Sequence, residues 1–200
     1  MFMLGNRPWR YNTVLYHVVL NRRERLRMPR NIEIKARVKN LVQLHQLAAQ
    51  LSNSKGVVLH QEDTFFNSPK GRLKLRVLKD DKEELIYYER PDQEGPKCSD
   101  FEKVPGKIGE LSGGMCRLLT RCLGVKGMVK KTRTLYMVGQ TRVHVDSVVG
   151  LGDFMELEVL LQDDQTIEEG EKIANDLRDK LKIEKEDLLS EAYMDMILKN

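Results

Sequence analysis

Charged side chains alternate with apolar ones along several segments of the chain, and this period of two is typical of β-strands. In the segment 31–38, Glu33, Lys35 and Arg37 share one face, and Glu156 and Glu158 share a face further along. Six segments show the pattern, and their charged positions are nine cations and four carboxylates: Glu33, Lys35, Arg37, Arg72, Lys74, Arg76, Arg90, Lys131, Arg133, Arg142, Asp146, Glu156 and Glu158. If the apolar faces pack against helices outside the sheet, the charged faces point together.

A face of this kind has the chemistry to bind metal ions and a polyanion. Residues on one face of a strand are about 6.6 Å apart and neighbouring strands about 4.8 Å apart, so carboxylates of adjacent strands can share one or two divalent cations. Mg²⁺ and Mn²⁺ prefer such oxygen ligands. The excess of cations leaves room for an inorganic or nucleoside triphosphate. The alternative is the solvated face of an open sheet, but recurrence on six strands favours a lined cavity.

The elements that position these residues follow from the same periodicity and from turn signals. Strands are predicted over residues 31–38, 57–66, 73–78, 85–90, 100–104, 125–138, 140–148 and 154–161. Helices are predicted over residues 39–51, 108–123, 166–181 and 185–198. Eight strands without regular strand–helix alternation indicate an α+β fold, in which a largely antiparallel sheet, closed or strongly curved, has helices packed on it.

The net charge of +4 does not come from this sheet. Residues 1–30 hold seven arginines and one acid, Glu24, whereas residues 31–200 carry 27 basic and 29 acidic side chains. We therefore expect a basic, unstructured extension over residues 1–30 and a single domain over residues 31–200. The slightly acidic domain has no aromatic RNA-binding signature, which argues against nucleic acid as a partner.

The cysteines and the N-terminal stretch bear on the compartment. Cys98, Cys116 and Cys122 lack CxxC spacing and are expected to be free thiols of a cytoplasmic protein. The apolar run over residues 14–20 is far shorter than the roughly 20 residues of a membrane-spanning helix, so no membrane partner is expected. The arginine-rich start also fits a mitochondrial presequence, and Met28 is an alternative start of translation. The sequence leaves a monomer and a homodimer open.

The strand motifs match a known pattern. Asn31-Ile32-Glu33-Ile34-Lys35 corresponds to E-x-E-x-K with Asn in place of the first Glu. The other matching motifs are Leu73-Lys74-Leu75-Arg76, Tyr88-Glu89-Arg90-Pro91, Lys131-Thr132-Arg133, His144-Val145-Asp146 and Gly152-Asp153-Phe154-Met155-Glu156-Leu157-Glu158-Val159. Over residues 31–198 the chain thus resembles the CYTH superfamily, or triphosphate tunnel metalloenzymes, which includes class IV adenylyl cyclases, thiamine triphosphatases and inorganic tripolyphosphatases. The adenylyl cyclase-like branch is the most similar.

The resemblance implies a closed eight-stranded β-barrel, the triphosphate tunnel, with helices outside. It implies that six cations contact phosphate oxygens: Lys35, Lys74, Arg76, Arg90, Lys131 and Arg133. It also implies that four carboxylates hold Mg²⁺ or Mn²⁺: Glu33, Asp146, Glu156 and Glu158. Asn31 departs from the pattern, because a neutral amide replaces one expected carboxylate on the metal side.

The leading functional hypothesis is an enzyme, a metal-dependent hydrolase of a small-molecule triphosphate: inorganic tripolyphosphate, thiamine triphosphate or a nucleoside triphosphate. Lys35 is favoured as a phosphate ligand, and its alternative, catalytic role is that of proton donor to the leaving oxygen. One alternative is an adenylyl cyclase that converts ATP to cAMP and pyrophosphate. The other is a non-catalytic polyphosphate or nucleotide binder, which Asn31 makes plausible. We expect His144 to be a hydrogen-bonded neighbour rather than a metal ligand, and Tyr193 to pack rather than to close the tunnel.

Overall fold

The structure, a computed structural model, describes residues 29–79, 82–107 and 109–199. Its eight strands are β1 (Arg30–Arg37), β2 (Val57–Phe66), β3 (Arg72–Leu78), β4 (Lys82–Glu89), β5 (Lys97–Lys107), β6 (Val125–Val138), β7 (Thr141–Val148) and β8 (Gly152–Leu160). They form a closed antiparallel barrel in the order β1-β5-β4-β3-β2-β6-β7-β8. The predicted α+β class and closed barrel are therefore confirmed. The predictions for residues 1–28 lie outside the described residues.

Four α-helices lie outside the strands or across an end of the barrel: α1 (Leu41–Ser52), α2 (Cys116–Leu123), α3 (Ile167–Lys180) and α4 (Tyr193–Ile197). Helix α1 begins at Asn40, whose side chain accepts from the Gln43 backbone N–H. Helix α3 begins with a capping box, in which the side chains of Thr166 and Glu169 each accept from the other's backbone N–H. Among the described residues no helix is both long and apolar enough to cross a membrane.

Two predicted helices differ from the observed ones. Helix α2 is preceded by a π-helical turn, Glu110–Met115, whose first N–H groups donate to the buried carboxylate of Glu83. The helix predicted over residues 185–198 is wrong, because only a short 3₁₀ turn (Lys185–Asp187) and α4 are helical there. Between them the backbone is extended, since Leu188 bridges to Ala36 and the Leu189 N–H donates to the Lys35 carbonyl.

The main core lies outside the barrel wall. Ile32, Ile34 and Ala36, on the apolar face of β1, are completely buried together with Ala48 of α1 and Ala174 of α3. The alternating charged residues of β1 must then face the barrel interior. The register sets this face across strands: Lys35 stands opposite Glu156, and Glu33 opposite Glu158.

A second apolar cluster closes one end of the barrel. Phe65 and Phe154 pack there against Tyr193, Met194 and Met196 of the α4 region. The ring of Tyr193 lies 5.0 Å from that of Phe154. The chain therefore returns after α3 to cover this end, whereas the outer helices cover the sides.

Candidate active site

The barrel interior forms one charged cavity with about 740 Å³ of space free of protein atoms, counted out to its mouth. Its wall carries eight cations: Lys35, Lys74, Arg76, Arg90, Lys103, Lys131, Arg133 and Arg142. It also carries four carboxylates: Glu33, Asp63, Glu156 and Glu158. The interior therefore has more positive than negative side chains, as the strand pattern predicts.

The cavity is open at one end and closed at the other. Near the opening the side chains of Lys103 and Arg142 are 34% and 31% exposed. At the closed end, those of Lys35 and Lys131 are 6% and 3% exposed, and both ammonium groups lie over the ring of Tyr193. Tyr193 packs in the apolar cluster, as expected, but it also forms part of the cavity wall at the closed end, so the expectation that it does not close the tunnel is wrong.

Ion pairs between strands hold cations of the cavity wall in place. Lys35 Nζ lies 2.9 Å from Glu156 Oε1, and Arg90 Nε lies 3.3 Å from Glu33 Oε2. Burial raises the pKa of Glu156, but Lys35 and Arg133 outweigh burial and hold that pKa well below its usual range. Burial and the nearby Glu158 carboxylate raise the pKa of Glu33. The two glutamates thus have opposite tendencies to ionise within one site.

Asp63 on β2 organises two of the cations, and the sequence analysis did not single it out. Its Oδ1 accepts from Arg76 Nε at 2.7 Å and its Oδ2 from Arg76 Nη2 at 2.8 Å, while Lys74 Nζ donates to Oδ2 at 2.9 Å. Burial raises the pKa of Asp63, but Arg76 and Lys74 outweigh burial and lower that pKa far below its usual range. The signal that could have found it is the period of two in Gln61, Asp63 and Phe65, in which only one residue is charged.

Asp146 on β7 also pairs with two cations, but it is not itself among the residues that line the cavity. Arg133 donates to its two oxygens at 2.6 and 2.5 Å, Lys131 Nζ lies 3.3 Å away, and the Tyr193 hydroxyl donates to Oδ2 at 3.0 Å. Arg133 also donates to Glu156. Asp146 is completely buried. The role of Asp146 as a metal ligand stays a prediction. A metal ion at Asp146 would compete with Arg133 for the same two oxygens.

A group of potential metal ligands lies on β7 and β8. His144, Glu156 and Glu158 each place a donor atom within 4.8 Å of the others. His144 Nδ1 is buried without a hydrogen-bond partner among the described residues, 3.7 Å from Glu158 Oε1. Burial and Arg133 lower the pKa of His144 to about 3, so its imidazole is neutral and able to ligate at neutral pH. The donor set fits a divalent cation, and it includes the histidine that we expected to be only a neighbour.

Burial also weakens the charge of several interior lysines. It lowers the pKa of Lys74 to about 7, and the adjacent Arg76 adds to the shift. Burial, together with the charge of Arg133, lowers the pKa of Lys131. Burial also lowers the pKa of Lys103. A polyanion placed among them would favour their protonated forms and so bind more tightly.

The structure gathers nearly all predicted site residues around this cavity. All six predicted phosphate ligands line it, as do Glu33, Glu156 and Glu158. Two of the nine cations counted in the sequence lie elsewhere: Arg37 is exposed, and Arg72 pairs with Asp92 and Asp195 outside the barrel. Lys103 and Asp63 are lining residues that the sequence analysis did not count.

Comparisons with known proteins agree with this geometry. The family model of the CYTH domain matches residues 29–193. A solved structure from Pyrococcus horikoshii OT3 has a TM-score of 0.70 at 27% identity, covering 82% of this chain and 98% of its own. A candidate adenylate cyclase from Vibrio parahaemolyticus has a TM-score of 0.64 at 18% identity, covering 85% of this chain and 98% of its own, which shows the fold alone. No curated protein matches the sequence.

Proposed function

Because the chain belongs to the CYTH domain family, we propose that it is a divalent-metal-dependent hydrolase that acts on a triphosphate held inside the barrel. The observation that carries the proposal is the excess of eight cations over four carboxylates on the wall of one buried cavity. Small anions of low charge would leave most of these cations unneutralised, whereas a triphosphate brings several negative charges in one chain. Desolvated cations on a rigid wall also stabilise charge that develops on phosphate oxygens.

The closed end orients the substrate. A ligand enters past Lys103 and Arg142, so its leading phosphate meets Lys35, Lys131 and Arg133 beneath Tyr193. The side chains of these three cations are almost completely buried, and the weaker screening by water strengthens their attraction for phosphate. We infer that the terminal phosphoryl group is held here and that the remaining phosphates extend toward Lys74, Arg76 and Arg90.

His144, Glu156 and Glu158 would hold the divalent cation. When bound, a cation of this kind supplies Lewis-acid activation of phosphate and of water. The chain's own residues supply position and protons: Asp63 and Asp146 each hold an arginine by two hydrogen bonds, which fixes the directions of the guanidinium groups. Lys35 Nζ, which lies 2.9 Å from Glu156 Oε1, would give its proton to the leaving phosphate oxygen.

The test is turnover by the full chain with Mg²⁺ or Mn²⁺ and, separately, tripolyphosphate, thiamine triphosphate and ATP. Phosphate release and cAMP are measured in the same reactions. Phosphate without cAMP supports the proposal, cAMP from ATP supports a cyclase instead, and binding without turnover supports a non-catalytic binder.

Glu156→Gln provides the internal check. It removes the carboxylate charge that Lys35, Arg133 and the metal cluster share, so we expect a loss of phosphate release of at least about 100-fold. The matched control is Glu62→Gln, which removes a carboxylate from the outer face of β2, where Glu62 pairs with Lys130 at 2.8 Å. If Glu156→Gln retains the rate of Glu62→Gln, the metal assignment is wrong.

A further inference from the structure

Two neutral polar atoms on the cavity wall have no hydrogen-bond partner among the described residues: Asn31 Oδ1 and Ser99 Oγ. Both residues line the cavity, and they are only 3% and 1% exposed. They stand directly opposite each other in the pairing of β1 with β5. An unsatisfied buried polar atom costs about 1–3 kcal/mol, so a ligand that pairs with these atoms gains that free energy on binding.

The chemistry of Asn31 Oδ1 defines the kind of partner it needs. A carbonyl oxygen only accepts hydrogen bonds, and the oxygens of an ionised triphosphate also only accept. The oxygens of the phosphate chain therefore cannot satisfy Asn31 Oδ1. An N–H or O–H group can, and such groups belong to the organic part of a triphosphate ester.

The neighbours of this pair suit an organic group. Phe101 follows Ser99 on the same face of β5, and it stands opposite Tyr88 on β4. Ile86 also lines this side of the cavity and is 4% exposed. A flat ring placed against Phe101 and Ile86 buries apolar area that a bare phosphate chain cannot use.

The position along the barrel also fits. Asn31 and Lys35 are four residues apart on β1, which is about 13 Å along the strand. Lys35 lies at the closed end, so Asn31 lies on the side toward the opening. A substrate whose terminal phosphate reaches Lys35 would thus leave its organic end beside Asn31, Ser99 and Phe101.

We propose that Asn31 and Ser99 bind the organic part of the substrate and make the site prefer an organic triphosphate, a nucleoside or thiamine triphosphate, over inorganic tripolyphosphate. The inference rests on the proposed function and deepens it. A glutamate at position 31 would place a further carboxylate next to Glu33 and opposite the Ser99 hydroxyl. The neutral amide removes that charge and offers an acceptor to an amino or hydroxyl group instead.

The experiment is equilibrium binding to the full chain by calorimetry, in EDTA so that turnover does not interfere. Tripolyphosphate, ATP and thiamine triphosphate are the probes, and they separate the two organic sources. We expect at least one organic triphosphate to bind more tightly than tripolyphosphate. Asn31→Ala should weaken that binding about 3- to 10-fold, the range of one net hydrogen bond, and leave tripolyphosphate within about twofold. Ser99→Ala should act in the same direction.

The matched control is Gln61→Ala. Gln61 also has a buried amide oxygen without a described partner, but it is not among the cavity-lining residues. It should leave the ratio of organic to inorganic affinities unchanged, and melting temperatures establish that all variants are folded. If tripolyphosphate binds as tightly as both organic triphosphates, or if Asn31→Ala weakens all probes equally, the inference is wrong while the proposed function stands. If no triphosphate binds in EDTA, the inference is wrong, and the turnover assay with Mg²⁺ or Mn²⁺ decides the proposed function separately.

Discussion

Asp63→Asn tests whether interior carboxylates hold the cationic wall together. The change keeps the size of the side chain and removes the charge that Arg76 and Lys74 share, at a residue that is 2% exposed. Removing one partner of a buried ion pair costs about 3–5 kcal/mol, because the other charge stays buried and unpaired. In a chain of this size each kcal/mol lowers the melting temperature by about 2–4 °C, so we expect a decrease of about 6–20 °C.

The assay is thermal unfolding with and without saturating tripolyphosphate. The polyanion should raise the melting temperature of Asp63→Asn more than that of the wild type, because it supplies the negative charge that the variant lacks. The matched control is Asp92→Asn, since Asp92 pairs with Arg72 at 2.8 Å but is 53% exposed and so contributes at most about 1 kcal/mol. The reasoning is refuted if both variants melt at similar temperatures, or if tripolyphosphate stabilises wild type and Asp63→Asn equally.

Two further predictions concern the same wall. Burial lowers the pKa of Lys74 to about 7, so this side chain loses its proton between pH 6 and 9. Only the protonated ammonium group attracts phosphate strongly, and the affinity for tripolyphosphate without metal should therefore fall as the pH rises over this range. Calorimetry of Lys74→Arg should show a flatter dependence of affinity on pH, and an unchanged dependence would contradict the assignment. Tyr193→Phe removes the hydroxyl that donates to buried Asp146 at 3.0 Å and should lower the free energy of unfolding by about 1.5–3 kcal/mol. Urea denaturation measures this loss, and an unchanged midpoint would count against a stabilising role for the bond.

The strand pattern predicted the barrel well, because the alternation of side chains along a strand determines both its outer, apolar face and its inner, charged face. Alternation places Ile32 and Ile34 under the helices and Glu33 and Lys35 inside, and the observed register brings β1 and β8 together on that basis. The end of the chain could not be predicted in this way. Leu188 and Leu189 look helical in sequence, yet their backbone pairs with β1, and this partner lies more than 150 residues earlier in the chain. Long-range pairing overrides local propensity there.

The sequence also could not separate two classes of interior carboxylate. Asp63 and Asp146 each hold an arginine through two hydrogen bonds, whereas Glu156 and Glu158 lie with His144 in the potential metal site. All of them obey the same period of two, so spacing alone assigns them the same role. Partner geometry distinguishes them, because both oxygens of Asp63 and of Asp146 accept from a single guanidinium and so orient that cation, whereas Glu156 and Glu158 place donor atoms close to the unpartnered imidazole of His144.

This division explains how so much charge is tolerated inside the barrel. A buried cation is costly unless a carboxylate or a ligand faces it, and the described wall has more cations than carboxylates. Asp63 and Asp146 neutralise part of the excess and keep Arg76 and Arg133 in place, and the lowered pKa of Lys74 and Lys131 reduces the remainder. The free energy still stored in this excess is released when an anion binds, so weakening the pairs at Asp63 should destabilise the free protein while increasing its stabilisation by triphosphate.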